Sequence, residues 1–387
     1  MTVLRERYRA LLFDLDGTLF RGRTAVPGAV AALSDAATAG CQIGYLTNNG
    51  SRSGPQVVEH LRELGFAATV REVITSGQAA ARVLAQRLAP GCSVLVVGTE
   101  SLAAEVTGAG LRVTRRAEDA DAVVQGHSPD TAWPVLAEAC LAIRAGALWV
   151  ACNIDATLPD ERGVLPGNGS MVAALERATD RHPVVAGKPE PALFHEAVAR
   201  TGIREALAVG DRLDTDILGA YRAGLPSLLV LTGVSDAAAL LAAPEEQRPT
   251  YIGADLGALR ADPQGLRPAG DPRWSVRPDG ATLRLGDGDG EGDGGGDGDG
   301  GASPEGDPVG ALRALCAVHW ERRGGPVTVR ADGGRAAEAL RALGLGDGPD
   351  SAAAADKAAA TDGRETAGDA GAGGGLDAGR AAHRPVG

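Results

Sequence analysis

Phe13-Asp14-Leu15-Asp16-Gly17-Thr18-Leu19 is the stretch of this chain best equipped for chemistry. It sets two carboxylates two residues apart, directly after the apolar run Ala10-Leu11-Leu12-Phe13. If that run is a strand, both acids stand at one sheet edge, and Gly17 lets the backbone turn sharply and close on a bound anion. A free aspartate has a pKa of about 3.9, so Asp14 is an anion at neutral pH and can attack phosphorus to give an aspartyl phosphate. Two anions repel, so the phosphate must be partly neutralised. Mg²⁺, held by one or two carboxylates and by the substrate's own oxygens, meets that need. Asp16 can protonate the leaving alkoxide and later take a proton from water, provided that crowding against Asp14 first keeps it protonated; a nearby metal ion opposes that shift.

Three more motifs follow apolar runs or chain turns. Leu46-Thr47-Asn48-Asn49-Gly50-Ser51 offers a hydroxyl and backbone N–H groups that, at a helix start, make an anion cradle; as a plain N-cap it would do no more than begin a helix. Gly187-Lys188-Pro189 carries a lysine that can hold a phosphate and the Asp14 carboxylate as a point charge. Gly210-Asp211-Arg212-Leu213-Asp214-Thr215-Asp216 packs three acids into six residues, a hard-cation pattern. Asp211 reads as the direct ligand and Asp216, about one helical turn on, as a ligand through water. Asp214 faces either the site or solvent.

The elements that must present these groups are legible as buried strands. The runs at 10–13, 42–46, 206–209 and 227–231 are short and apolar, as strands covered on both faces of a parallel sheet are, and each ends in Asp, Thr or Gly-Asp. Ala-rich helical segments, such as 28–39 and 191–201, lie between them. The alternation is that of a doubly wound α/β sheet, which binds ligands beyond the carboxyl ends of its strands. Residues 1–74 and 185–266 are expected to form this core. Residues 75–184 have an alternation of their own, with strands at 93–97, 122–125 and 148–151 and helices at 100–107, 131–144 and 169–179, and are expected to be an inserted α/β module. Residues 267–345 read as a small accessory α/β domain: a hairpin at 274–285 turning on Pro278-Asp279-Gly280, a helix at 308–322, a strand at 327–330 and a helix at 334–343. A flexible Gly/Asp loop at 286–303 interrupts it, and 346–387 reads as a disordered tail.

Composition narrows the partners. The net charge of −12 argues against nucleic acid, and half of it comes from the six acids between Gly286 and Gly301. That run is not a calcium loop, because the twelfth position counted from Asp287 is Gly298 rather than Glu. The five cysteines have no paired spacing and read as reduced thiols. Residues 1–19 lack the apolar stretch of a signal peptide, and no run reaches the ~20 apolar residues that span a bilayer, so no membrane contact and a cytoplasmic location are expected.

Taken together and in this order, the four motifs resemble those of the haloacid dehalogenase superfamily. The position and α/β character of the insert resemble class IIA members with a C2 cap, the group of nitrophenylphosphatases, phosphoglycolate phosphatases and nucleotide or glycerol-phosphate phosphatases. Val26-Pro27-Gly28-Ala29, Asn153-Ile154-Asp155-Ala156-Thr157-Leu158-Pro159 and Pro166-Gly167-Asn168-Gly169 add to the likeness, which covers about residues 9–259. It implies Asp14 as nucleophile and Asp16 as general acid and base. Thr47 and Lys188 become phosphate ligands, with Asn48 and Asn49 beside them. Asp14, Asp211 and Asp216, with the Asp16 backbone carbonyl, would hold Mg²⁺. A small phosphorylated metabolite is the implied substrate, with glycerol 3-phosphate, phosphoglycolate, sugar phosphates and nucleotides all open. Cys152 and Ile154 flank Asn153 where Thr and Pro are usual, and Gly126-His127-Ser128 departs from the usual Gly-x-Asp. The C-terminal segment resembles part of an acetyltransferase fold found in some glycerol-phosphate phosphatases. It lacks the Arg/Gln-x-x-Gly-x-Gly loop for coenzyme A, so a structural role and a homodimer are expected. A phosphotransferase or mutase on the same core, and a sensor that binds without turnover, are the alternatives; intact Asp14 and Asp16 speak against the sensor.

Overall fold

A computed structural model describes residues 2–160, 162–288, 307–322 and 324–346. Six parallel strands form the main sheet, in the order Tyr251–Gly253, Ser227–Val230, Ala206–Gly210, Ala10–Asp14, Gln42–Thr47 and Val73–Thr75. Their residues are almost all buried, because helices cover both faces. Register brings the motifs to one rim. Asp14 pairs with Leu46, one residue before Thr47, and Phe13 pairs with Val209, two before Asp211. The two three-residue edge strands, Val73–Thr75 and Tyr251–Gly253, are additions to the four expected.

A second parallel sheet lies wholly within the insert, in the order Val184–Val185, Leu148–Ala151, Ala122–Gln125, Ser93–Val97 and Arg112–Thr114. An antiparallel hairpin, Thr157–Asp160 with Gly163–Pro166, stands beside it. Thr75 closes the core's edge strand, so the chain leaves the core one residue past the expected division at 74; Val184–Val185 still pairs inside the insert, and Lys188 follows three residues later. One continuous apolar cluster joins the two sheets, uniting Leu12, Leu46 and Ile74 of the core with Val94, Val124 and Val150 of the insert. The insert is thus packed on the core rather than tethered to it.

The C-terminal module has the hairpin Trp274–Asp279 and Thr282–Asp287, the strand Thr328–Asp332 parallel to its second arm, and helices Pro308–Glu321 and Gly334–Ala342. Gly286 and Asp287, expected to begin the flexible loop, instead finish a strand that pairs on both sides. The rest of that loop, from 289, and the tail from 347 lie outside the described residues. Leu312 and Leu315 of the module share one buried apolar cluster with Leu213, Ile217, Leu240 and Ile252 of the core, and Arg313 Nη1 donates to the Ile252 carbonyl at 3.0 Å. No helix among the described residues is long and apolar enough to cross a membrane.

Candidate active site

Asp14, at the end of its strand, meets Lys188, which the chain delivers as it returns from the insert. Lys188 Nζ donates to Asp14 Oδ1 at 2.5 Å and to Asp216 Oδ1 at 2.7 Å. The ammonium is almost wholly buried, at 3% exposure. Burial works against its charge, but Asp14 and Asp216 outweigh it and hold the lysine protonated well beyond its ordinary range. Burial pushes the Asp14 carboxyl well above the usual carboxylate range; Lys188 pulls it down, and Asp216 and Asp211 push it up.

Asp211 follows the Ala206–Gly210 strand and is completely buried. The Thr18 hydroxyl donates to its Oδ1 at 3.1 Å and the Val234 N–H to its Oδ2 at 2.7 Å. Burial and then Asp216 raise its pKa; those two hydrogen bonds oppose the rise. The backbone packs so closely here that glycine is required. Gly17 has φ +90°, and a Cβ on it would lie 2.5 Å from Asp211 Oδ2. A Cβ on Gly233 would come closer still. The Thr232 hydroxyl donates to the Gly17 carbonyl at 2.7 Å, and Arg21 Nε donates to the Thr232 carbonyl at 2.9 Å. The short hairpin Phe20–Arg21 with Thr24–Ala25 is thereby tied to the same loop.

Asp216 lies in a π-helical turn, Leu213–Ile217, whose apolar side packs into the cluster shared with the C-terminal module. The wide turn leaves the Arg212 N–H to donate to Asp216 Oδ2 at 3.1 Å. Asp214 points away: it is exposed and takes two hydrogen bonds from the Arg212 guanidinium, at 3.0 and 2.7 Å. Although its partial burial acts the other way, that pairing holds its carboxyl below the usual range.

Carboxylate oxygens of Asp14, Asp211 and Asp216 lie within 4.8 Å of one another. Three oxygen donors so placed, with one lysine between them, leave excess negative charge, which a hard divalent cation bound by carboxylates would balance. The donor set therefore fits Mg²⁺. The Asp16 carboxylate is not part of this trio. It opens to solvent at the rim, where neighbouring atoms still strip enough water to raise its pKa against the pull of Arg52, His60 and Lys188.

The Thr47 loop differs from expectation. No helix starts at Asn48; the next helix is Gly54–Glu63, capped by Ser53 and Gln56, and residues 48–53 form a loop. Thr47 Oγ1 accepts from the Asn49 N–H at 3.1 Å. The Asn49 side chain turns inward on its own loop, accepting from the Ser51 N–H and hydroxyl at 2.9 and 2.6 Å. The Asn48 amide is spent on Lys188 and on Asp155, a residue of the insert. Burial raises the Asp155 pKa, with Arg212 the main opposing charge. Thr18, Asp155 and the Val234 N–H carry no role in the sequence reading. Only the Asn-x-Asp likeness pointed toward Asp155, and a backbone N–H leaves no trace in side-chain chemistry. His127 sits in a partly buried loop of the insert.

Comparison with known proteins identifies the family. The family model for haloacid dehalogenase-like hydrolases matches residues 11–112, a second HAD-hydrolase-like model matches 185–259, and a GCN5-related N-acetyltransferase-like model matches 271–345. A D-glycerol 3-phosphate phosphatase of Mycobacterium tuberculosis is 51% identical over 348 residues, 88% of this chain and 95% of that protein. An acid sugar phosphatase of Staphylococcus aureus is 37% identical over 59% of this chain and 89% of its own length. Among solved structures, a glycerol phosphate phosphatase of M. tuberculosis in complex with magnesium has a TM-score of 0.81 at 50% identity, over 89% of this chain and 99% of its own. A p-nitrophenyl phosphatase from Archaeoglobus fulgidus has a TM-score of 0.61 at 29% identity, over 65% and 98%. With its motifs gathered at the rim of a parallel sheet beneath an inserted α/β cap, the chain belongs to the haloacid dehalogenase-like hydrolases and is a magnesium-dependent phosphatase of small phosphate esters.

Proposed function

We propose that the chain hydrolyses glycerol 3-phosphate by way of a phosphoryl group carried on Asp14. The observation that carries this reading is the convergence of Lys188 on Asp14 and Asp216, with Asp211 in the same cluster. Magnesium held by Asp14, Asp211, Asp216 and the Asp16 carbonyl would supply positive charge for the phosphate oxygens. Lys188 orients Asp14 and offers a second cation to the phosphate. A carboxylate oxygen of Asp14 bonds to phosphorus as the ester bond breaks, and Asp16 gives its proton to the departing alkoxide. Asp16, now charged, takes a proton from water as the water oxygen attacks phosphorus, which releases phosphate and restores Asp14. Burial moves the Asp16 pKa upward, the direction that proton donation needs. Thr47, with the N–H of residue 48, lies at the end of the adjacent strand, where a phosphate oxygen would be received.

The choice of glycerol 3-phosphate rests on the mycobacterial relative, whose 95% coverage includes cap and C-terminal module alike. Ranking purified protein on a panel of phosphate esters by kcat/KM tests it. Glycerol 3-phosphate is expected to lead p-nitrophenyl, sugar and nucleoside phosphates by at least about tenfold; a sugar phosphate or phosphoglycolate in first place would overturn the substrate while keeping the chemistry. The five free cysteines suit the reducing cytoplasm in which we place the enzyme. A C2-type cap helix, Trp133–Arg144, leaves Trp133 79% and Leu141 58% exposed two turns apart, which supports a homodimer. Light scattering that gave a monomer mass would remove that assignment.

A further inference from the structure

We infer that Asn48 is a positioning residue, one that fixes the Lys188 ammonium by clasping the Lys188 backbone and that ties this placement to the docking of the inserted module. The inference rests on the reading of Lys188 as the cation that serves Asp14 and the phosphate. It assigns the Asn48 side chain a task other than binding substrate.

The geometry is that of a junction. Asn48 Oδ1 accepts from the Lys188 N–H at 2.7 Å, and its Nδ2 donates to the Lys188 carbonyl at 3.0 Å and to Asp155 Oδ2 at 3.3 Å. Both hydrogens of the amide and its oxygen are therefore engaged, which leaves no side-chain donor for a phosphate. Only this amide orientation works: reversed, it would face an oxygen with two oxygens and an N–H with nitrogen. The Asn48 carbonyl accepts from the Ser76 hydroxyl at 2.6 Å and from Asn153 Nδ2 at 2.7 Å. One residue of the core thus meets the segment by which the chain enters the insert, the segment by which it returns, and a loop of the insert itself. The fit is close. A Cβ on Gly187 would lie 2.4 Å from the Cys152 carbonyl oxygen and 2.7 Å from Asn48 Oδ1.

The loop that presents Asp155 is itself held. Asn168 Nδ2 donates to the Asn153 carbonyl at 2.7 Å, and the Gly169 N–H donates to the Asp155 carbonyl at 2.9 Å. The Ser170 hydroxyl donates to the Ala156 carbonyl at 2.7 Å. A run of hydrogen bonds therefore leads from the helix Asn168–Thr179 of the insert, through Asn48, to Lys188 and Asp14. A shift of the insert reaches the ammonium through these bonds, and a displacement of about 1 Å at a reacting group can cost ~10²-fold in rate.

Asn48→Asp tests this. It keeps the size of the side chain and the acceptor for the Lys188 N–H, but it turns a carboxylate toward the Lys188 carbonyl and Asp155. The expected result is a kcat lower by about 10²-fold with KM changed less than about threefold. The double variant Asn48→Asp/Asp155→Asn returns a donor from the opposite side, and it is expected to recover at least about tenfold of the lost kcat. An unchanged kcat in Asn48→Asp, a rise in KM with kcat kept, or a double variant no better than the single one would overturn the inference. If thermal melting shows Asn48→Asp unfolded at the assay temperature, Asn48→Ala takes its place, with the same division between kcat and KM expected and the reverse division contradicting it. Asp14→Asn measured alongside separates the two readings. Turnover by Asp14→Asn would defeat the catalytic scheme and this inference together. An inactive Asp14→Asn beside an unaffected Asn48→Asp would defeat this inference alone.

Discussion

At the scale of single residues, the site is an arrangement of charge around one lysine. Lys188 is buried between Asp14 and Asp216, so its removal leaves carboxylates facing one another without a cation. Breaking a buried pair in this way typically costs about 3–5 kcal/mol. Lys188→Met, which fills similar volume, should therefore lower unfolding free energy by that order in urea denaturation without added metal, and hydrolysis should be lost with it. A variant as stable as the parent would show that the pairing contributes nothing. Residue types in register made this cluster readable: Asp14, Lys188, Asp211 and Asp216 could be named because each is a chemically distinctive side chain next to an apolar run. Asn48 and Asn49 were harder. Their type suggests phosphate contact, but the Asn48 amide points to partners 107 and 140 residues away in the chain, which no local pattern encodes, while the Asn49 amide closes on Ser51 of its own loop.

At the scale of elements, two features hold the acids in place, a tight turn after the first strand and a π-helical turn after the Ala206–Gly210 strand. Gly17 belongs to the first. Gly17→Ala meets an unfavourable φ and a clash with the Asp211 carboxylate at once. Displacing a group that packs on a metal-binding carboxylate should raise the magnesium concentration for half-maximal activity by about 10–100-fold. A magnesium titration like that of the parent would contradict the packing argument. The central strands were legible because continuous apolar runs of four or five residues are long enough to stand out. Val73–Thr75 and Tyr251–Gly253 are too short for that, and they become strands because a neighbouring strand's edge is there to pair with. The hairpin Thr157–Asp160 with Gly163–Pro166 was missed for a related reason: Pro159 and Pro166 argue against strand locally, yet a two-stranded ribbon has free edges that tolerate them.

At the scale of the whole molecule, the three sheets are not independent. The C-terminal module shares one apolar cluster with Leu213 and Ile217, the apolar flank of the turn that carries Asp216. A chain ended after Leu266 should uncover that flank, aggregate or melt several degrees lower, and lose phosphatase activity along with stability. A truncated chain with the parent's melting temperature and turnover would show that the module is dispensable to the site. The family resemblance reached the existence of this module and its kinship to an acetyltransferase fold, but not its contact with the catalytic core, since long-range packing has no signature in the sequence of either partner. The central claim, that phosphoryl transfer passes through Asp14, has a direct measurement. Enzyme turning over glycerol 3-phosphate with magnesium is quenched in acid, reduced with borohydride and mapped by mass spectrometry. An acyl phosphate at Asp14 predicts homoserine at position 14, absent when substrate is withheld. Reduction at another carboxylate, or at none while hydrolysis proceeds, would contradict the account.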